Sequence, residues 1–481
     1  MKFYSFAIFT ILLFKTKVTL GFNPQEIGIR DKLLGKNNWF KSSWKEKEPI
    51  QIPIYKDDAF LKQVQEQLRQ KPPLIFEKES NTLKNDLKLA GYGKNFLLMG
   101  GDCAETFDTD VNKVKNLYKI ILQMGIILTH GTGKKSIKIG RIAGQYAKPR
   151  SNEMETVNQR EYYAYKGDII NSIELTNRLP DPHRMLDAYQ HSCQTLNILR
   201  AFSSGGFAQL ENLNNWKSDY QDDDDIIYSK YNQTIHRIQQ SINFMKGLDV
   251  NLQEPLFSQT TLYTGHECLL LPYEEQFIRE YEKKSYSGSA HFLWIGDRTN
   301  SLNSSQVEFV RGIENPIGLK VSSKTNPKEL VKIIKLLNPG NEMGKITLIT
   351  RFGHPRIQRY LPIFIDIITK EKLNVVWCCD PMHGNTFSIS GIKTRSVPHI
   401  KKELDSFFSI HNSMNTIPGG IHLEMTPENV TECIDSHLFS STMTFHDCLE
   451  QNYKTHCDPR LNYRQSLDIA FHISNIQSNL K

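Results

Sequence analysis

The chain has 481 residues, 39% of them apolar and 10% aromatic, and carries a formal charge of +7 from 59 Lys and Arg against 52 Asp and Glu. This is ample material for a core, which excludes a disordered chain and a cysteine-stapled mini-domain. The charge excess is small for the length and forms no concentrated stripe, which argues against nucleic acid as a partner. Eight cysteines, at positions 103, 193, 268, 378, 379, 433, 448 and 457, show no Cys-x-x-Cys pair or repeated spacing. Neither a zinc ribbon nor a disulfide framework is signalled, and reduced surroundings are the default reading.

At the N-terminus, residues 4–14 form an apolar run behind Lys2. The run is too short to span a bilayer comfortably and suits the hydrophobic region of a signal peptide, with Thr19 and Gly21 placed like the small residues of a cleavage site. Residues 1–21 are therefore expected to be a signal. Because unpatterned cysteines fit secretion badly, the expected destination is a plastid entered through the secretory route. A buried N-terminal helix is the alternative reading and leaves the protein cytoplasmic. Residues 22–43 read as a transit or linker segment, and the main domain is expected over residues 44–481. No other segment is apolar enough for a membrane, so the mature chain is expected to be soluble.

Eight short β-rich runs follow: Phe96–Met99, Ile137–Ile142, Thr261–His266, His291–Ile295, Pro316–Val321, Ile346–Thr350, Asn374–Cys379 and Gly420–Met425. Helical patterns lie between most of them, at Asp181–Phe202, Tyr228–Leu248, Glu274–Lys284, Pro327–Leu337 and Ile357–Lys370. Strand alternating with helix predicts parallel β-α units, and eight such units predict a closed (β/α)8 TIM barrel. The gap between the second and third strands is far too long for one unit and predicts an inserted helical subdomain over about residues 152–260. Within it, the acidic run Asp222–Asp225 reads as a solvated loop rather than an ion site.

Polar and charged residues collect where the proposed strands stop, and in a barrel these ends meet at one mouth. Arg141, Arg298, Lys320 and Arg351 would repel one another there unless anions neutralise them, and a phosphate with a carboxylate would do so. Lys148-Pro149-Arg150-Ser151 offers a second anion site, or else an ordinary exposed turn. Cys103, His383, Glu424 and Asp458 are candidate metal ligands. One sulfur, one nitrogen and two carboxylates suit a divalent transition ion, Mn²⁺ first and then Co²⁺, Fe²⁺ or Zn²⁺, better than Ca²⁺ or Mg²⁺. Spacing alone does not bring four such dispersed residues together.

Several long stretches resemble one family. They are Met99-Gly-Gly-Asp-Cys-Ala-Glu-Thr-Phe107, Arg141-Ile-Ala-Gly-Gln-Tyr-Ala-Lys-Pro-Arg-Ser151, His291-Phe-Leu-Trp-Ile-Gly-Asp-Arg-Thr299 and Glu314-Asn-Pro-Ile-Gly-Leu-Lys320. They continue through Cys379-Asp-Pro-Met-His-Gly-Asn-Thr386, Gly419-Gly-Ile-His-Leu-Glu-Met425 and Cys457-Asp-Pro-Arg-Leu-Asn462. In this order, from about Trp44 to Phe471, they resemble the type II (plant-type) 3-deoxy-D-arabino-heptulosonate 7-phosphate (DAHP) synthases. The resemblance implies a (β/α)8 barrel with an N-terminal extension and inserted helices. It implies condensation of phosphoenolpyruvate with erythrose 4-phosphate, releasing phosphate, as the entry step of the shikimate pathway to aromatic amino acids. It places Cys103, His383, Glu424 and Asp458 on the family's metal ligands, and Arg141, Lys148, Arg298, Lys320 and Arg351 on its phosphoenolpyruvate site. Arg150 and Ser151 fall where the phosphate of erythrose 4-phosphate is held. Lys148, Arg141, Cys103 and His383 are thus the expected catalytic groups. A homo-oligomer is expected, with subunit contacts and feedback sites for aromatic amino acids in the helical insertion.

The chain departs from the family pattern in three places. Asp297 stands beside Arg298 in the substrate site where Glu is usual, Asn300 stands where Arg is common, and Asn303-Ser-Ser-Gln306 replaces a more typical Asp-Gly-Ala-His. Cys457 adjoins Asp458 and could reach Cys103. A disulfide between them would remove a metal ligand and open the site to redox control, whereas a reduced packing cysteine is the plainer reading. A metal-dependent aldolase or phosphohydrolase on the same barrel, or a non-catalytic scaffold, would be the competing functions. The first needs no second phosphate site, and the last should have lost ligands.

Overall fold

The computed structural model describes residues 39–108, 110–157, 159–216, 225–254, 259–435 and 449–479. The expected signal over residues 1–21, and residues 22–38 of the segment after it, lie outside these. The eight barrel strands are β1 (Asn95–Gly101), β2 (Lys135–Arg141), β3 (Leu262–Glu267), β4 (Phe292–Ile295), β5 (Ile317–Val321), β6 (Ile346–Thr350), β7 (Val376–Cys379) and β8 (Pro418–Glu424). Neighbours pair in parallel around the ring β1-β8-β7-β6-β5-β4-β3-β2, which closes on β1. These are the eight runs expected from the sequence, with ends shifted by a few residues at most.

Parallel strands covered by helices are buried on both faces, which is why they read as continuous apolar runs. All seven residues of β1 are buried. Leu97 and Met99 join Ile139, Trp294 and Ile349 in one cluster, and the alternate residues Phe96 and Leu98 pack in another, against the surrounding helices. This is the two-residue period of a strand sorting side chains to opposite faces. The helix Pro327–Leu337 starts on a proline suited to the first turn, and Asn326 caps it by accepting from the N–H groups of Lys328 and Glu329. It buries Leu330, Val331, Ile333, Ile334 and Leu337 on one face. Each aliphatic side chain so buried contributes about 1.5–3 kcal/mol.

Between β2 and β3 lie a hairpin (Met154–Val157 with Arg160–Tyr163) and two long helices, Arg184–Ser204 and Ile226–Gly247. Asp225, the last residue of the acidic run, is not a solvated loop residue. It caps the second helix through Ile227 N–H and pairs with Arg464 of the C-terminal helix Tyr463–Asn479. The other three acids of the run lie outside the described residues.

The helix expected over Glu274–Lys284 is a misreading. Two short helical turns, Leu271–Glu274 and Glu275–Phe277, run into an antiparallel hairpin of Ile278–Tyr281 with Lys284–Ser287. Glu282 and Lys283 both adopt left-handed backbone, at φ 48° and 62°. Two such residues close a two-residue hairpin, but Glu-Lys lacks the Asn-Gly or Asp-Gly signature that announces one. No helix among the described residues is long and apolar enough to cross a membrane.

The strand register already assembles part of the mouth. Gly101, the last residue of β1, lies level with Arg141 of β2 on one side and Glu424 of β8 on the other. Gly101 has φ 146°, and a Cβ there would stand 2.8 Å from the carbonyl oxygen of Arg141. A side chain at this position must push the Arg141 backbone aside. The expected outcome for Gly101→Ala is a folded but less stable chain, with activity lowered at least about tenfold, an amount that a barrier change of about 1.4 kcal/mol accounts for. Thermal unfolding together with kcat/KM checks this; wild-type kcat/KM in the variant would contradict it.

Candidate active site

The C-terminal mouth of the barrel holds a cleft lined by Cys103, Arg141, Lys148, Asp297, Arg298, Lys320, Arg351, His383, Glu424 and Asp458. Ten of the twelve predicted site residues therefore meet here, although they come from seven different strand ends and the C-terminal segment. Arg150 and Ser151 lie at its rim. The Ser151 hydroxyl accepts from Arg298 at 3.1 Å, and Arg150 pairs with Glu155 at 2.7 Å.

The candidate metal ligands form two overlapping groups. Donor atoms of His383, Glu424 and Asp458 lie within 4.8 Å of one another, as do those of Cys103, Cys457 and Asp458. Asp458 belongs to both and links the two groups, so the four predicted ligands line one cleft with the Cys103 sulfur on one side of Asp458 and His383 and Glu424 on the other. An imidazole nitrogen and two carboxylate oxygens within such a span, with a sulfur bordering Asp458, are a donor set that fits a borderline divalent ion. His383 is oriented for this role: its Nδ1 meets Asp380 at 2.7 Å, and its Nε2 faces Glu424 at 3.1 Å. Cys103 is disulfide-bonded to Cys457, with their Cα atoms 6.5 Å apart. Disulfide and metal ligation are mutually exclusive states of Cys103, because only a thiolate ligates.

The cations are held by carboxylates of the same set. Arg141 pairs with Glu424 at 3.2 Å, donates through Nε to the Asp102 carbonyl at 2.7 Å, and stacks its guanidinium over Trp294. Lys148 reaches Asp458 at 2.9 Å and the Cys103 sulfur at 2.8 Å. Lys320 contacts Asp380. Burial pulls the Lys320 ammonium below its ordinary range, with Asp380 opposing the shift. Asp380 is itself held well below the usual carboxylate range: burial disfavours its charge, and His383 and Lys320 outweigh that cost. Arg298 and Arg351, by contrast, make no ion pair among the described residues, and Arg351 Nε is buried without a hydrogen-bond partner.

Several residues that matter here were given no role by the sequence, although His422 and Arg460 lie within its motif stretches. Arg395 is fully buried and pairs with Glu424 at 2.7 Å while donating to the Pro459 carbonyl. Arg460 is held by Glu432 at 2.7 Å and by Asp102 at 2.8 Å, tying the chain before Cys103 to the chain after Asp458. Glu267 lines the cleft with its Oε1 buried and unpartnered, and burial pushes its carboxyl up. His422 contacts Arg141 from β8, and the His422-Leu-Glu424 spacing was the available signal, since i and i+2 share a strand face. Two of the three departures from the family pattern serve local structure, and nothing in the structure explains Asp297. Asn300 donates to the Lys320 carbonyl at 2.9 Å, Ser304 caps the helix Ser305–Arg311, and Gln306 donates to the Ile50 carbonyl at 2.9 Å.

Buried glutamates fasten the mouth loops by their backbone. Glu105 accepts from the N–H groups of Ala143, Gly144 and Gln145 at 2.7–2.9 Å. Glu432 accepts from Thr455 and Arg460 N–H, each at 2.8 Å. Glu403 accepts from Phe352 N–H at 3.1 Å, Gly353 N–H at 2.9 Å and the Asn385 amide at 2.6 Å, joining the loop of Arg351 to the loop of His383.

A closed parallel barrel with candidate metal ligands and guanidiniums free of ion pairs among the described residues at its C-terminal mouth is the arrangement of a (β/α)8 enzyme. Sequence comparison narrows the class: the profile of the Class-II DAHP synthetase family matches residues 39–474. The chain belongs to that family. It is similar to a phospho-2-dehydro-3-deoxyheptonate aldolase of Neurospora crassa, 40% identical over 457 residues that cover 91% of this chain and 94% of that protein. A protein of the same name from Streptomyces coelicolor is 38% identical over 441 residues, covering 90% of this chain and 96% of that one.

Burial, with Asp380 nearby, pushes the Glu403 carboxyl up from 4.5 to about 8 despite its donors. Between those values the folded chain keeps a proton that the unfolded chain has released. The stability this proton contributes is complete below about pH 4.5 and is lost as pH rises through about 8. Glu403→Gln, which does not ionise, is expected to show a smaller fall in unfolding free energy between pH 5 and pH 8 than wild type in urea titrations. An equal fall in both would contradict the assignment.

Proposed function

We propose that this chain condenses phosphoenolpyruvate with erythrose 4-phosphate and water to give DAHP and phosphate, the entry step of the shikimate pathway. The observation that supports this reading is one cleft lined by the four candidate metal donors beside two guanidiniums that make no ion pair among the described residues. Cys103, His383, Glu424 and Asp458 are the residues that would hold a divalent ion, which would supply Lewis-acid chemistry towards the aldehyde of erythrose 4-phosphate.

The residues of the chain do the rest. Arg298 and Arg351 bind the phosphate and carboxylate of phosphoenolpyruvate, with Lys320 and Arg141 completing the cradle, and fix its C3 towards the aldehyde carbon. Attack by C3 leaves positive charge at C2, water adds there, and the hemiketal phosphate expels phosphate by C–O cleavage. Lys148, beside the metal set, is placed to position that water or donate a proton. Ser151 and Arg150 at the rim hold the phosphate of the second substrate, which requires Arg150 to be shared with Glu155.

Reduced, chelator-stripped protein given single metals is expected to release phosphate only when both substrates are present. A phosphohydrolase would release it from one. Oxidised protein is expected to be inactive until dithiol treatment frees Cys103. Arg351→Ala removes a charged contact to substrate and is expected to raise the phosphoenolpyruvate KM about 10- to 100-fold with a lower kcat. If only the erythrose 4-phosphate KM moved, the two anion sites are exchanged.

A further inference from the structure

We propose that Asp380 couples the metal set to the anion cleft, so that a divalent ion and phosphoenolpyruvate each tighten the binding of the other. The proposal rests on the function proposed above and assigns Asp380 as a positioning residue that touches neither ligand.

Asp380 follows β7 and is fully buried. Its Oδ1 accepts from the N–H groups of Met382 at 3.0 Å and His383 at 3.2 Å, which stops the carboxylate from turning. Its Oδ2 accepts from two competing donors: Nδ1–H of His383 at 2.7 Å and the Lys320 ammonium. One of these is a metal ligand and the other lines the anion cleft. A proton on Nδ1 leaves the Nε2 lone pair facing Glu424 and the metal set.

The sign of the coupling follows from sharing one oxygen. A cation at Nε2 withdraws electron density from the imidazole and strengthens its Nδ1–H donor. More of the Asp380 charge then serves His383, and the hold on Lys320 loosens, freeing the ammonium for an anion in the cleft. In the reverse direction, an anion that draws Lys320 away leaves Asp380 to His383 alone, and the imidazole becomes the better ligand. Linkage makes the two effects equal in size, and such couplings run about 5- to 150-fold. Glu424 also bridges the sites, between His383 and Arg141, but it is itself a metal donor, so its removal would not isolate the coupling.

The test is calorimetric, on full-length, dithiol-reduced, chelator-stripped protein. Phosphoenolpyruvate is titrated with and without Mn²⁺, and Mn²⁺ with and without phosphoenolpyruvate, with inorganic phosphate as a second anion probe. Wild type is expected to show the same enhancement, at least about fivefold, in both directions. In Asp380→Asn the enhancement is expected to fall to within twofold of unity. Mn²⁺ should bind about 10–100-fold more weakly, and metal-free phosphoenolpyruvate should bind no more weakly than in wild type. Lys320→Met, a second variant that does not depend on Asp380→Asn folding, is expected to bind Mn²⁺ at least as tightly as wild type. Wild-type coupling in Asp380→Asn, absent coupling in wild type, or equal weakening of metal-free anion and Mn²⁺ binding would each overturn the proposal. Coupling between Mn²⁺ and inorganic phosphate without any condensation activity would instead keep the coupling and remove the proposed reaction.

Discussion

Cations can share this cleft because carboxylates stand among them, and two of those carboxylates are also candidate metal donors. Two like charges about 4 Å apart repel by about 4 kcal/mol at an effective dielectric of about 20, a large fraction of a domain's net stability. Glu424 answers Arg141, Asp458 answers Lys148, and Asp380 answers Lys320. The cleft cations left without an ion pair among the described residues are Arg298 and Arg351, and they are the pair that a phosphate and a carboxylate would complete. Metal set and anion cleft are therefore one electrostatic system. A change at either ligand set redistributes hydrogen bonds at the other.

That arrangement depends on backbone placed without help from the ligands. Gly101 sits level with both Arg141 and Glu424, and its lack of a side chain leaves room for the Arg141 backbone to pack against β1. Glu105, Glu403 and Glu432 direct their oxygens to backbone N–H groups of the loops after the strands, which fixes the loops that carry the cleft residues. Buried carboxylates are costly unless fully hydrogen-bonded. Here each accepts at least two backbone donors, and its cost is offset by fixing two or more loop residues at once.

Much of this was legible in the sequence. The eight strands read from apolar β-rich runs, because strands buried on both faces need little else. His383, Glu424 and the cleft cations Arg141, Arg298, Lys320 and Arg351 read as polar or charged residues at strand ends, and the family motifs joined Cys103 and Asp458 to them. What the sequence concealed has physical causes. The hairpin over Ile278–Ser287 is closed by Glu282 and Lys283 in a conformation those residues seldom announce. Arg395, Glu403 and Arg460 act on backbone carbonyls, backbone N–H groups and other charges far away in the chain, and neither period nor spacing encodes such partners. Asp225 read as one acid of a solvated run, yet its role depends on Arg464, 239 residues further on.

The central claim, that one cleft holds the ion and the anion as a single charge-balanced unit, is most directly tested by a crystal structure of the reduced protein with Mn²⁺ and phosphoenolpyruvate. The account predicts the ion on Cys103, His383, Glu424 and Asp458, and the phosphate and carboxylate of phosphoenolpyruvate on Arg298 and Arg351. An ion held without Cys103 and Asp458, or phosphoenolpyruvate bound away from both arginines, would contradict it.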